Sequence, residues 1–155
     1  MLALRLRCGV CVVVLSACGG STIGRDAGSN LVDAGPALDG LPNCAAETVS
    51  SDAVYSAVIE KNCATSGCHQ VPPLSKWQAI DAETFVSAVV NQPSRQVPAM
   101  KLIEPNAPTH SYLVWRIMGQ QERVGGGLAR MPKDKPELSA DEKCKIINWI
   151  NSGAL

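Results

Sequence analysis

The chain has few rings and few histidines. Its 155 residues include one Phe, two Tyr, three Trp and two His. A large flat cofactor would help fill a core so poor in aromatics. An excess of one charge is also missing, since 14 Lys and Arg balance 14 Asp and Glu. That balance offers nothing to nucleic acid or to an acidic polymer. The apolar run from Cys8 to Ala17 falls short of the roughly 20 residues that cross a bilayer. Gly125–Gly127 is followed by no Gly-Lys-Ser/Thr and is therefore not a phosphate loop. There is no internal repeat, no serine–histidine–carboxylate pattern and no carboxylate pair near Cys63, Cys68 and His69. Nothing in the chain forms a catalytic set, and its length suits one domain plus extensions.

What is present begins with an export signal. "MLALRLRCGVCVVVLSACGG" places Arg5 and Arg7 before the apolar run and small residues at its end, the pattern of a secretory signal peptide. Leu15-Ser16-Ala17-Cys18 resembles the lipobox of bacterial lipoproteins. In that family, cleavage precedes the cysteine, which then carries the acyl chains. The expected boundaries are a signal peptide over 1–17, a flexible Gly/Ala/Asp-rich tether over 18–43 and a folded domain over 44–155. An ordinary cleaved signal with a chance cysteine is the other reading.

Seven cysteines then sort by place. Cys8 and Cys11 leave with the signal, and Cys18 is the expected lipidation site. Cys44, Cys63, Cys68 and Cys144 remain in a chain bound for an oxidising compartment, where free thiols do not persist. "KNCATSGCHQVPP" sets His69 directly after Cys68, with four residues between Cys63 and Cys68. Covalent haem attachment, a zinc site and a short-loop disulfide beside a bystander histidine all use such residues. A zinc site would need a further ligand from Cys44, Cys144 or His110, without the usual paired spacing. If Cys63 and Cys68 take haem, Cys44 and Cys144 are left as a candidate disulfide. Two disulfides among the four is the alternative.

Periodicity predicts helices and no convincing strand. "SSDAVYSAVIEKN" spaces Val54, Tyr55, Val58 and Ile59 helically, with Ser50, Ser51 or Asp52 as cap. "DAETFVSAVVN" starts at Asp81 and stops before Pro93, and "PTHSYLVWRIMG" ends at Gly119. "LSADEKCKIINWINSGAL" opens with a Ser139–Glu142 capping box and buries Ile146, Ile147, Trp149 and Ile150. The loop "GQQERVGGGLARMPKDKPE" before it is long enough to be functional.

Over residues 48 to 155 these pieces resemble, in order and spacing, a small class I cytochrome c of the kind carried by bacterial lipoproteins. The attachment motif there is Cys-x-x-Cys-His, so four intervening residues are a departure that calls for a wider loop, with Gly67 to permit it. "SYLVWRIMG", "RMP" and the closing "WINSGA" follow the family's late pattern. The resemblance implies an all-α fold with long haem-covering loops and a single haem c bound through Cys63 and Cys68. It further implies His69 and Met131 as axial iron ligands. Met100 and His110 are the reserve ligands, and Met118 is a core residue.

The implied function is single-electron transfer between periplasmic redox proteins, without catalysis of its own, from the periplasmic face of a membrane. Gly19 stands where inner-membrane lipoproteins of some bacteria carry aspartate, which leans toward the outer membrane. Service to a separate oxidoreductase is a further reading. A haem-free lipoprotein with a Cys63–Cys68 disulfide, acting as a binding or structural module, is the competing one.

Overall fold

Four helices bury their apolar faces against one another in the computed structural model, which describes residues 37–70, 77–127 and 129–155. The expected signal peptide, the lipidation site Cys18 and the tether as far as residue 36 lie outside the described residues. Helix α1 spans 51–62 and changes pitch along its length. It is α-helical over Ser51–Val54, π-helical over Tyr55–Ile59 and α-helical again over Glu60–Asn62. The Ser50 hydroxyl accepts from the Ala53 amide and starts it, supplying a partner for an otherwise unmet first-turn donor. The π turns are widened for one extra residue each, and such turns gather near functional sites. Here they end one turn short of Cys63.

Helix α2 spans Ala82–Val89, opened by a capping box between Asp81 and Thr84. Helix α3 spans Tyr112–Met118 and closes on Gly119, whose φ of +70° is the left-handed conformation that glycine adopts without steric cost. Helix α4 spans Ala140–Asn151 and opens with the reciprocal Ser139–Glu142 box. The chain is all-α among the described residues, with isolated β-bridges only in the 90–111 connection. No helix among them is long and apolar enough to cross a membrane.

Two segments differ from the sequence expectation. The stretch expected to run as one helix from Pro108 to Gly119 is broken at Ser111, which is extended (φ −91°, ψ 112°) between a 3-10 turn at Pro108–His110 and α3. The Ser111 hydroxyl donates to the Ala107 carbonyl and accepts from the Glu104 amide, so it secures the incoming loop and leaves α3 uncapped. The end of the expected tether also lies against the domain. Leu38 is buried, Asp39 exchanges two hydrogen bonds with the Gln120 carboxamide, and Arg123 pairs with the Asp39 carboxylate. Composition reads residues 37–43 as linker, but two leucines among the small residues suffice to seat them.

Four of the six aromatics, Tyr55, Trp77, Phe85 and Trp149, pack in one row. Phe85 packs 5.3 Å from Trp149 and 5.8 Å from Trp77 between ring centroids, and Trp77 stacks on His69 at 3.5 Å. This row joins the buried side of α4 to the cysteine–histidine segment. At the other end of the chain's order, Cys44 and Cys144 are joined by a disulfide that ties the lead-in of α1 to α4.

Candidate functional site

After α1 the backbone closes a small ring. The Cys63 amide continues the helix by donating to Ile59, the Cys68 amide donates to the Thr65 carbonyl, and the His69 amide returns to the Cys63 carbonyl at 3.1 Å. Gly67 makes the turn with φ +77°, a conformation that strains any residue with a Cβ. The four-residue spacing is thus held by the loop's own hydrogen bonds. Cys63 and Cys68 are unpaired thiols, and burial pushes Cys63 up to about 12. A thiol so weakly acidic is protonated at neutral pH and is a poor nucleophile.

His69 is held from two sides by the segment that follows the undescribed residues 71–76. Its carbonyl accepts from the Ala79 amide at 2.8 Å, and its Nδ1 stands 3.1 Å from the Trp77 carbonyl. A carbonyl can only accept, so Nδ1 carries the hydrogen and Nε2 keeps its lone pair. Burial, with the nearby Arg116 charge, lowers the imidazole pKa against the raising effect of the Trp77 bond. The ring is therefore neutral at pH 7 with a fixed tautomer, the state in which imidazole binds a metal through Nε2.

These residues open onto a cavity of about 950 Å³. Cys63, Cys68 and His69 line it, and so does Met131 from the loop between α3 and α4. The Met131 amide donates to the Arg116 carbonyl at 3.0 Å, which fixes the loop to the end of α3. Lys135 reaches back to the Thr65 hydroxyl at 3.2 Å, so the loops that carry Met131 and the two thiols are also joined directly. Met100 and His110 do not line the cavity. Met100 packs against the core, while His110 is exposed and faces the Glu104 carboxylate at 3.9 Å. Met118 also packs on the core. Among the described residues no three His, Cys, Asp or Glu side chains gather as a ligand set for a bare metal ion, and the disulfide withdraws Cys44 and Cys144 from any such set.

No family model, curated protein or solved structure matches the chain.

The glycine-rich loop has a role that sequence alone does not disclose. Gly126 is buried beneath the Tyr112 hydroxyl, and a Cβ placed there would also come within 2.9 Å of the Gln121 carbonyl. Tyr112 in turn lines the cavity and donates to Gln96 Oε1 at 2.6 Å. Gly126→Ala should therefore destabilise the fold by about 1–3 kcal/mol, the usual cost of overpacking. Urea unfolding checks this, and Tyr112→Phe in the same chain should recover part of the loss. An unchanged midpoint for the single variant would contradict the packing.

The residue that sequence reasoning missed is Arg116. It sits inside the apolar run "YLVWRIM", is buried at 6 % exposure and lines the same cavity. The available signal was that α3 has no polar face on which an arginine could reach solvent.

Proposed function

We propose that the chain is a membrane-tethered, periplasmic c-type cytochrome that carries single electrons between redox proteins. One observation carries the reading. Cys63, Cys68 and His69 from one stretch and Met131 from another, more than sixty residues on, line a single cavity of a size suited to a large cofactor. The alternatives Met100 and His110 lie elsewhere. Haem would supply reversible one-electron exchange at its iron.

The chain's own residues fit that group. The two thiols stand at the mouth of the loop that α1 feeds, where thioether bonds would keep the cofactor from being lost. His69 presents Nε2 because the Trp77 carbonyl holds the other nitrogen. Met131 offers a neutral thioether, which would favour reduced iron and raise its potential. Held by both His69 and Met131, the iron would have no site left for substrate, in keeping with a carrier. Lipid at Cys18 would hold this domain at the membrane, outer in preference to inner, and the proposed partners are other periplasmic redox proteins.

The deciding experiment is expression of the full chain with a haem-attachment system, then acid-acetone extraction. Haem should stay with the polypeptide, and the mass should exceed that of the apo chain by one haem. A mass showing only the loss of two hydrogens between Cys63 and Cys68 would overturn the reading and leave the haem-free module in its place.

A further inference from the structure

Arg116 is a buried cation without an anion. Its Nη1 donates to Gln96 Oε1 at 3.0 Å and to the Gly127 carbonyl at 3.2 Å, while its Nε is buried with no partner. Among the described residues no carboxylate pairs with it. Burying a guanidinium against neutral acceptors alone is unfavourable, because the lost hydration is not returned by an opposite charge. The surroundings lean the same way. Arg95, Lys133 and Lys135 join Arg116 in lining the cavity, and among the described residues no Asp or Glu does, although the chain as a whole is neutral. The Tyr112 hydroxyl spends its one hydrogen on the same Gln96 oxygen at 2.6 Å, so the Arg116 Nε is the donor left without a partner there.

We infer that Arg116 is the receptor for a carboxylate on the molecule that fills the cavity. Resting on the haem reading above, that carboxylate is one of the two haem propionates. A guanidinium suits this better than an ammonium, since its planar fork meets both carboxylate oxygens. Gln96 holds the fork and the phenol in place: its oxygen accepts from both and competes for neither charge. Met131 is hung on α3 at the Arg116 carbonyl itself, so the same short helix would serve cofactor edge and ligand loop.

The test uses the full-length chain loaded with haem enriched in carbon-13 at the propionate carboxyls, in the diamagnetic ferrous state. Each carboxyl is then followed by NMR between about pH 3 and about pH 8, a span that takes in the ordinary carboxylate range. In the wild type one carboxyl should titrate well below the other, because the buried guanidinium lowers its pKa. Arg116→Gln should raise that carboxyl's titration, and Arg116→Lys should restore most of the wild-type behaviour. If Arg116→Gln takes up no haem, the wild type alone decides: two carboxyls titrating alike there would overturn the inference. The inference also fails, with the haem reading intact, if haem is attached in the variant and both carboxyls behave as in the wild type. Absence of attached haem from the wild type, read by mass, is the separate result that removes the haem reading and this inference together.

Discussion

Met131→Ala should open the iron. In the haem-loaded chain the variant is expected to lose the weak sulfur-to-iron charge-transfer band of the ferric state. It should bind carbon monoxide when reduced, and its potential should fall. The fall should be on the order of 0.1 V or more, within the roughly 0.8 V that axial ligands span. The substitution isolates the sulfur well. The Met131 backbone amide keeps its bond to the Arg116 carbonyl whatever the side chain, and Lys135 still ties the loop to Thr65. The half-buried Met131 side chain gives up some packing, so a modest loss of stability accompanies the spectral change. Met100→Ala should weaken packing as well, because Met100 rests on the core, yet leave band, potential and carbon monoxide exclusion as they were. His110→Ala should alter none of the three. Retention of the band in Met131→Ala with its loss in Met100→Ala would move the ligand. Carbon monoxide binding by the unmodified protein would undercut the carrier reading itself, since an open iron belongs to sensing or catalysis.

The parts of this architecture legible in the sequence are those governed by local rules. Asp81, Ser139 with Glu142 and Gly119 announce helix ends through the hydrogen bonds or backbone angles that ends require, and the structure uses each in that way. Apolar spacing likewise marks Ile146, Trp149 and Ile150 as the inner side of α4. Other features depend on tertiary partners and leave no local mark. Nothing in "VYSAVI" distinguishes a π turn from an α turn, since both spacings bury Val58 and Ile59. Ser111 reads as an interior helical residue until Glu104 and Ala107 compete for its hydroxyl. Arg116 illustrates the limit most clearly: periodicity sorts apolar from polar, and a buried arginine violates the sorting where a ligand is expected. Gly126 is similar, since its lack of a side chain matters only once Tyr112 lies above it.

Removing the Cys44–Cys144 disulfide should cost the fold more than any single core substitution named above, while leaving the cavity's chemistry in place. The bridge spans 100 residues, nearly the whole domain. In the chain-entropy account, closing a loop of that size restricts the unfolded state by about 4.7 kcal/mol, with the division between entropy and enthalpy depending on the account used. The proposed thioether bonds at Cys63 and Cys68 would not substitute, because they would close a loop of only a few residues. The folded state, by contrast, does not need the bridge to find its shape. The Asn148 amide donates to the Ala45 carbonyl at 2.9 Å, the Ser51 amide to the Leu155 carbonyl at 3.0 Å, and the Trp149 indole to the Ser51 hydroxyl at 3.0 Å. These hold the lead-in of α1 on α4 by themselves. A Cys44→Ala/Cys144→Ala chain should therefore keep its helical circular dichroism and, when loaded, its visible spectrum. Its unfolding midpoint in denaturant should drop sharply, and a reductant should produce the same drop in the unmodified protein. An unmoved midpoint would show that the denatured chain is already confined in this region. A lost visible spectrum would show that the bridge shapes the cavity and does more than restrain the unfolded chain.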